Sequence, residues 1–440
     1  MRKIKRAYDL FIDWNCNFFA KPAVQVLCLV LYKIIVDGIY VLYCGNMPDF
    51  GIRISALNII SGYMAVFIFS FFLRQFCKMG NASAILLTVI YMIYFIPITT
   101  YCSLGPGSSG LLFFMIIFAL FLSVLEIVLP IYSIKVSNTH KENQRLKICF
   151  YALFIAVGIL IIYISFRYTG FRIITNLSEV YQYRAEAADY NMPGWMAYLQ
   201  SFSGILIPLL ILIAFAWRKF LFVLFGCALL ILNFSYAGHK TIIFMGVILI
   251  LGYFLWRKKM IYLFMPAGCL LGVIGILEYY FSQHAYIISY FFRRNGYVFA
   301  QLSDCYYRFF SENPVDIFRS TFLGKIGFVS PYENSIPNVI GNNYFTQIIN
   351  CNNGLLADVW THLGIIGIIV IPLILIICFR LFDIATAGAS SRVIVGLAAY
   401  YAVMFSNTTW STVLLTHGYL IMCIVLFVFR NIVQESRLKV

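Results

Sequence analysis

Long apolar segments recur along this chain and are separated by shorter polar stretches. A helix needs about 20 mostly apolar residues to cross the hydrocarbon core of a bilayer, and twelve segments approach that length. They lie at 23–43, 54–73, 82–102, 110–134, 148–166, 202–217, 220–236, 241–256, 260–280, 362–382, 391–407 and 412–430. The pattern predicts an all-α polytopic membrane protein with about 12 transmembrane helices, forming a single integral membrane domain over residues 1–440.

Two long segments, 167–201 and 281–361, interrupt this alternation. Loops longer than about a dozen residues are usually either functional or disordered. Disorder is disfavoured in the second segment, because aromatic and apolar residues stay abundant throughout it. We therefore predict two large folded loops and expect functional residues in them.

The composition and the charge agree with a membrane protein. Hydrophobic residues make up 62% of the chain and charged residues 11%, with a mean hydropathy of +0.88. The net charge of +15 does not indicate nucleic-acid binding, since the basic residues form no single face once they are placed on loops. With a cytoplasmic N-terminus, roughly two-thirds of the 32 Lys and Arg residues fall on the inner side, as the positive-inside rule requires.

Both termini are then predicted to be cytoplasmic, and both large loops to face outward. The basic start of the chain is followed by no small-residue cleavage pattern, so we expect no cleaved signal peptide.

The outward cations are candidate anion ligands. Arg293 and Arg294 follow a run of aromatic residues that ends at Phe292, as in a helix at headgroup depth. They could anchor the chain to lipid phosphates or clamp a phosphorylated ligand with paired hydrogen bonds. Lys240 follows a tight turn at Gly238 and starts a helix, where the dipole favours an anion. The alternative for Lys240 is a snorkelling side chain at the membrane boundary.

The first loop combines cations, carboxylates and aromatic rings. The residues are Arg167, Arg172, Arg184, Glu179, Glu186, Asp189, Tyr181, Tyr183, Tyr190 and Trp195. Rings with interleaved polar groups suit carbohydrate, whose C–H faces stack on aromatic faces while its hydroxyls take polar partners. The same mixture also describes an ordinary outer-loop helix.

Two pairs of titratable residues, one of Asp and His and one of Lys and Asp, have the spacing of one helical turn. Asp358 and His362 lie four residues apart and would share one helix face, where either could take a proton from an attacking hydroxyl. The alternative for Asp358 is an acidic cap in a first helical turn. Lys33 and Asp37 lie within a span, where charges are costly, and we predict that they neutralise each other.

Two further sequence patterns give little evidence of a functional site. Residues 105–110 match GxGxxG, but no strand leads into them, so we predict a tight outer turn. The twelve cysteines are scattered without CxxC spacing, which disfavours a zinc site. Cys305 and Cys351 both lie in the second loop, and whether they pair stays open.

Several stretches resemble a known family. They are Phe291-Phe292-Arg293-Arg294, Tyr306-Tyr307-Arg308-Phe309-Phe310-Ser311-Glu312-Asn313-Pro314, Ile340-Gly341-Asn342-Asn343-Tyr344-Phe345, Asn353-Gly354-Leu355-Leu356-Ala357-Asp358, Leu363-Gly364 and the turn Gly238–Thr241. With the number of spans, the basic inner face and the larger second loop, they resemble the Wzy-type O-antigen and oligosaccharide repeat-unit polymerases of bacterial inner membranes. The topology is similar over the whole chain, whereas the residue sequence is similar only in this loop and turn.

The resemblance implies a GT-C-like glycosyltransferase of lipopolysaccharide biosynthesis that uses neither a metal nor a cofactor. Its substrate would be an undecaprenyl-pyrophosphate-linked oligosaccharide in the surrounding membrane lipid, polymerised at the periplasmic face, and its protein partner a chain-length regulator. Fixed cations would stabilise the departing pyrophosphate, at about 3 kcal/mol for one well-placed donor. The implied roles are pyrophosphate binding for Arg293, Arg294, Lys240, Arg172 and Arg167, acceptor-side base for Asp358 or His362, and glycan binding for Tyr181, Tyr183, Trp195 and Tyr306.

Two other functions remain alternatives. A lipid-linked oligosaccharide flippase or another polysaccharide transporter would also have about twelve spans, but such proteins usually show internal repeats and bind substrate at the bilayer midplane. This chain shows no evident halves. A membrane O-acyltransferase would need a catalytic histidine in a span facing a cytoplasmic donor, and only His140 is placed on that side, in a polar loop.

Overall fold

A computed structural model describes residues 2–131, 140–174, 180–238, 240–321, 323–346, 350–430 and 432. This part of the chain is helical and contains no β-strand. The α-helices are α1 (Arg2–Phe19), α2 (Pro22–Leu42), α3 (Ala56–Met79), α4 (Ala82–Ile90), α5 (Ile96–Leu104), α6 (Ser109–Val128), α7 (His140–Ile164), α8 (Val180–Ala188), α9 (Gly194–Ala216), α10 (Phe220–Ala237), α11 (Lys240–Leu255), α12 (Phe264–Ser282), α13 (Val298–Glu312), α14 (Ile336–Tyr344), α15 (Leu356–His362), α16 (Gly367–Thr386), α17 (Ser391–Asn407), α18 (Trp410–Leu415) and α19 (Tyr419–Phe429).

Shorter helical segments of other types join them. The π-helical segments are Tyr91–Phe95, Ser165–Thr169 and Ile288–Tyr297, and the 3₁₀ segments are Cys44–Asn46, Lys258–Leu263, Gly324–Ile326 and Gly364–Ile366. Most of the predicted second loop is therefore helical, from the π segment Ile288–Tyr297 through α15. The GxGxxG stretch forms the short link between α5 and α6, which confirms that it is a turn.

Nine helical stretches of the described residues are long and apolar enough to cross a membrane. They are Pro22–Asn46, Ala56–Met79, Ala82–Leu104, Ser109–Val128, Gln144–Thr169, Gly194–Ala216, Lys259–Ser282, Gly364–Thr386 and Trp410–Phe429. The other three predicted spans coincide with shorter helices, Phe220–Tyr236, Met245–Leu255 and α17. The all-α, multi-pass character is thus confirmed, and the total of twelve crossings stays a prediction.

Local sequence explains where these helices begin and end. The Ser55 side chain accepts the N–H of Asn58 at the start of α3, and Gly80 ends the same helix in a left-handed conformation with φ of 60°. Pro22 occupies the first turn of α2, where a missing N–H costs nothing.

The chain gathers into two compact units. Unit 1 contains Met1–Pro130, Lys258–Phe379 and Tyr401–Ser411. Its centre is the span Ala82–Leu104, in which 94% of the most apolar window is buried. All of the candidate residues of the second loop belong to this unit.

The predicted pairing of Lys33 with Asp37 in unit 1 is confirmed. The Lys33 ammonium group contacts the Asp37 carboxylate and also donates to Thr100 Oγ1 at 3.1 Å. Asp37 further accepts the hydroxyls of Thr100 at 2.7 Å and Tyr63 at 2.8 Å. Both intramembrane charges are therefore satisfied within the protein, as buried ions must be.

Unit 2 contains Ile131–Arg257, Arg380–Tyr400 and Thr412–Val440. Helix α9 has the most deeply buried span of this unit. Around Phe150 the rings of Phe154, Trp217 and Phe222 lie at centroid distances of 5.3–5.8 Å and meet edge to face. The first predicted loop, with α8 and the start of α9, belongs to this unit.

Candidate functional site

Helix α15 carries Asp358 and His362, and a hydroxyl from the central span of unit 1 positions its start. Tyr94 lies in the π segment Tyr91–Phe95 and is fully buried. Its hydroxyl accepts the N–H of Leu356 at 3.2 Å, donates to the carbonyl of Gly354 at 3.0 Å and lies 2.7 Å from Ser303 Oγ. The first turn of α15 is thereby attached to the protein core.

The two residues that precede α15 have unusual backbone environments. A Cβ atom on Gly354 would lie 2.1 Å from the carbonyl oxygen of Phe405 and 2.3 Å from that of Thr408, so only glycine fits. Leu355 has φ of 51° and ψ of −101°, a conformation that non-glycine residues rarely adopt. Such strain costs about 1–3 kcal/mol and clusters at functional sites.

Asp358 is a buried carboxyl at the third position of α15, with 2% exposure. Its Oδ2 accepts the N–H of Trp410 at 3.1 Å, and its Oδ1 is buried without a hydrogen-bond partner among the described residues. Burial raises the pKa of Asp358 to about 8, because the Trp410 N–H and the nearby backbone of Leu355 only partly offset the lost hydration. Asp358 lies in the first turn of α15, and its capping role stays a prediction.

Asp316 is a second buried carboxyl that the sequence analysis missed. It is fully buried and accepts the Ser320 N–H at 2.9 Å, the Ser320 hydroxyl at 2.7 Å and the Ser330 hydroxyl at 2.7 Å. Its Oδ2 also lies 3.4 Å from Nδ1 of His362. Burial alone would raise the pKa of Asp316, but the hydrogen bonds from His362, Ser320 and Ser330 outweigh burial and hold that pKa well below its usual range.

Nδ1 of His362 lies between a hydrogen-bond donor and an acceptor. The Phe318 N–H points to it at 3.2 Å, and the Asp316 carboxylate lies 3.4 Å away. A ring nitrogen can serve only one of them, because it carries either a lone pair or a proton. The structure shows the Phe318 N–H bonded to Nδ1, whereas the Asp316 contact is longer than a full hydrogen bond. When the ionised Asp316 comes close enough to accept a hydrogen bond from the ring, Nδ1 carries the proton.

The other ring nitrogen, Nε2, is then left with a lone pair. It is buried and has no hydrogen-bond partner among the residues that the structure describes. The Phe318 ring stacks on the imidazole at 4.3 Å and holds its plane. The result is an oriented imidazole whose basic atom is not used by the fold.

The backbone of the Asp316 loop is strained where it contacts His362. Ile317 and Phe318 have φ of 50° and 59°, in the left-handed region that β-branched and bulky residues avoid. Arg319 holds this turn by donating to the carbonyls of Val315 at 2.9 Å and Asp316 at 2.7 Å. The strained turn directs both the N–H and the ring of Phe318 to the imidazole.

Arg293 and Arg294 lie in the π segment Ile288–Tyr297, beside exposed aromatic rings. Tyr290 is 61% exposed and Phe291 55%, and the helical geometry breaks at Asn295. Neither arginine has a carboxylate within ion-pair distance in the described ranges. Arg294 is exposed, whereas Arg293 is half-buried with a buried Nε that lacks a partner there. Two cations thus adjoin each other in sequence, and no described carboxylate neutralises them.

The arginines of the first loop have other surroundings, in unit 2. Arg172 forms an ion pair with Glu186 at 2.8 Å, and its guanidinium group lies 4.2 Å from the ring centre of Tyr183. Glu186 accepts the Tyr190 hydroxyl as well, and these hydrogen bonds, first that of Tyr190 and then that of Arg172, lower the pKa of Glu186. Arg167 is exposed and lies 5.6 Å from the ring centre of Tyr168. The charge of Arg172 is therefore already balanced within its own loop.

Two candidate residues in unit 2 are described by their backbone only. Lys240 is the first residue of α11 and Tyr181 the second of α8, and both side chains lie outside the described residues. The proposed roles of Lys240 and Tyr181 therefore stay predictions.

Trp195 is 63% exposed and lines an open groove of about 640 Å³ in unit 2. The groove lies among α7, α9 and Ile421 and is walled almost entirely by aliphatic and aromatic side chains. Apolar walls suit a lipid chain better than sugar hydroxyls, which need polar partners. Glycan binding by Trp195 and Tyr183 stays a prediction.

Tyr306, the glycan-binding candidate of unit 1, belongs to the core. It is 3% exposed, and its hydroxyl donates to the carbonyl of Cys351 at 3.0 Å. A buried ring cannot stack on a sugar in this conformation, so the structure gives Tyr306 a packing role. Cys305 and Cys351 are free thiols here, and burial raises the pKa of Cys305 to about 12 and that of Cys351 to about 11.

Within the described ranges no three His, Cys, Asp or Glu side chains come together as ligands of a metal ion would. Comparison with protein-family models, with curated proteins and with solved structures finds no match to this chain.

Proposed function

We propose that this chain is a membrane glycosyltransferase that polymerises undecaprenyl-pyrophosphate-linked oligosaccharide repeat units into O-antigen or a related surface polysaccharide. The reaction takes place at the periplasmic face of a bacterial inner membrane, in a GT-C-like protein with about twelve spans and cytoplasmic termini. An acceptor hydroxyl attacks the anomeric carbon with inversion and no metal. The bond from that carbon to the pyrophosphate oxygen breaks, and undecaprenyl pyrophosphate leaves with the electron pair.

The observation that carries the proposal is the Arg293–Arg294 pair without a carboxylate partner in the described part of unit 1. Two guanidinium groups can bind the oxygens of a diphosphate with parallel hydrogen bonds and stay charged at any working pH. They lie beside the exposed aromatic rings of Tyr290 and Phe291, and their charges can stabilise the charge that develops on the leaving group. One donor of this kind contributes about 3 kcal/mol to catalysis.

The acceptor side needs less assistance, since pyrophosphate is already a good leaving group. A general base typically adds about 10²–10⁴-fold in rate. The carboxyl of Asp358 and the imidazole of His362, both on α15, are the candidates for that base.

The test is a polymerisation assay with the purified full chain in proteoliposomes and a synthetic undecaprenyl-pyrophosphate-linked repeat unit. Wild-type protein should give a ladder of products, with equal turnover in EDTA. Arg293→Ala and Arg294→Ala should each lower turnover by about 100-fold or more, because each removes one donor to the leaving group. The matched control is Arg53→Ala, which removes an exposed arginine of the same unit that lies outside the π segment.

The outcomes separate the alternatives. Full-length polymer from both arginine variants would leave only the lipid-anchoring role for the pair. Movement of the lipid-linked unit across the proteoliposome membrane without any ladder would identify a transporter.

A further inference from the structure

We infer that Asp316 and His362 form a general-base dyad, in which His362 Nε2 takes the proton of the acceptor hydroxyl and Asp316 is the positioning residue that orients the imidazole. The identity of the acceptor rests on the proposed function. The dyad itself rests on the geometry of the loop that contains Asp316 and of α15.

The carboxylate of Asp316 is built to stay ionised and in one place. Its Oδ2 accepts the N–H of Ser320 at 2.9 Å and the Ser320 hydroxyl at 2.7 Å, and its Oδ1 accepts the Ser330 hydroxyl at 2.7 Å. Nδ1 of His362 lies 3.4 Å from the same Oδ2. This contact is longer than a full hydrogen bond, but catalytic hydrogen bonds often tighten only when substrate is bound.

The described contacts of the imidazole involve its plane and only one of its nitrogens. The Phe318 ring stacks on the plane, and Nδ1 lies near both the Phe318 N–H and Asp316, of which it can hydrogen-bond only one at a time. Nε2 is buried without a partner in the described part of the chain, on a side chain that is 1% exposed. A buried orphan nitrogen is costly unless a ligand or substrate satisfies it.

Backbone strain supports the same assignment independently. Ile317 and Phe318 both have left-handed φ, and Leu355 at the start of α15 has φ of 51°. Ile317 and Phe318 directly follow Asp316, and Leu355 precedes the helix that ends at His362. Strain of this kind persists where the surrounding structure enforces it and is concentrated at active sites.

Asp358 is less suited to this role than His362. Its Oδ1, like Nε2 of His362, has no partner among the described residues, but burial raises the pKa of Asp358 to about 8, so that near neutral pH it already carries a proton. Its Oδ2 also accepts the backbone N–H of Trp410. An imidazole that is protonated on Nδ1 and bonded to Asp316 can accept a proton on Nε2 without breaking that bond.

The acceptor oxygen forms a bond to the anomeric carbon while its proton passes to Nε2. The anomeric carbon–oxygen bond to pyrophosphate breaks, and its electron pair leaves with the pyrophosphate. The imidazolium that results has its charge opposed by the Asp316 carboxylate, and it returns the proton to water after product release.

The kinetic test uses Asp316→Asn, His362→Gln and the double variant in the proteoliposome assay. An Asn amide can donate to Nδ1 and so favours the wrong tautomer, as in other Asp–His pairs. We expect kcat to fall about 100-fold or more in each single variant, with KM within about threefold. The double variant should be no slower than His362→Gln alone, because the two residues act as a unit.

Tyr332→Phe is the matched control for damage to the loop. It removes the 2.6 Å hydrogen bond from Tyr332 to the Pro314 carbonyl in the same loop and touches neither member of the dyad. We expect its kcat within about threefold of wild type. Undiminished kcat in Asp316→Asn, or losses in the single variants that multiply in the double variant, would overturn the dyad.

A second measurement does not depend on turnover. In protein labelled with ¹⁵N-histidine, the His362 signals are those that disappear in His362→Gln. We expect a proton on Nδ1 in wild type and on Nε2 in Asp316→Asn. The same tautomer in both proteins would overturn the inference even if no lipid-linked unit were ever polymerised, whereas absence of a ladder from wild type would reject only the proposed function.

Discussion

The Asp316 loop and the first turn of α15 each bury a carboxyl group in unit 1, and the two groups respond to burial in opposite ways. Hydrogen bonds from His362, Ser320 and Ser330 outweigh the burial of Asp316 and depress its pKa. The carboxyl of Asp358 lies deeper and has fewer donors, and its pKa rises to about 8. The depth of burial and the number of donors together decide which carboxyl is charged.

The largest expected effect is that the isosteric change from Asp to Asn alters stability in opposite directions at Asp358 and Asp316. Asp358 has a pKa of 3.8 when unfolded and about 8 when folded, so its burial lowers stability as pH rises between those values. Asp358→Asn should remove this loss and be more stable than wild type at pH 8, by on the order of 5 kcal/mol, and similar to wild type near pH 4.

Asp316→Asn should do the reverse. A depressed pKa contributes stability above the unfolded pKa of 3.8, and that stability is lost as pH falls. The variant should therefore be less stable than wild type at pH 8. Thermal unfolding in detergent micelles at pH 4, 6 and 8 measures both variants. Melting temperatures that shift in the same direction at pH 8 would show that the two carboxyl groups do not affect stability in opposite ways.

The next effect concerns the segment that places α15. Gly354→Ala should destabilise unit 1 by about 3 kcal/mol, because the new methyl group meets two backbone carbonyls that cannot rotate away. Thermal unfolding measures it, with Gly194→Ala as the control, since a Cβ there meets nothing within 4 Å. Equal melting temperatures for the two variants would mean that the close approach of Gly354 to residues 405–408 is absent in solution.

The smallest effect comes from a carboxylate that is solvated instead of buried. Glu186 pairs with Arg172 on the exposed first loop. Exposed pairs are worth about 0.2–1 kcal/mol and weaken with salt, so Arg172→Ala should lower stability by less than about 1 kcal/mol. A larger loss in the same unfolding assay would show that the stacking of Arg172 on Tyr183 orders the loop.

Features set by neighbouring residues could be predicted from the sequence. Apolar length is a local property, so the helices follow the hydropathy pattern closely. The pair Lys33–Asp37 has the spacing of one helical turn. In this case the partner is fixed by helical geometry and not by the fold.

Contacts between distant segments could not be predicted in this way. Asp316 meets His362 across 46 positions, and Glu126 accepts the hydroxyl of Ser83 from a different helix at 2.6 Å. Tyr306 is buried, and its hydroxyl donates to the carbonyl of Cys351, which is distant in the sequence. None of these pairings follows from periodicity, since each depends on how the helices assemble.

One signal for Asp316 was nevertheless present. It is the only acidic residue between Glu312 and Glu333, and apolar Val315 and Ile317 flank it. A lone carboxylate among apolar neighbours indicates a buried acid that requires partners. Serines at positions 320 and 330 could have been named as those partners.

The hydroxyl of Tyr94 also connects α15 to a membrane-spanning segment. Its bonds to Leu356 and Gly354 attach that helix to the middle of the span Ala82–Leu104. Transmembrane helices change their tilt when hydrocarbon thickness changes, at a cost of fractions of a kcal/mol per Å. We therefore expect the position of α15, and of His362 on it, to respond to bilayer thickness, and reconstitution in lipids of different acyl length tests this without a mutation.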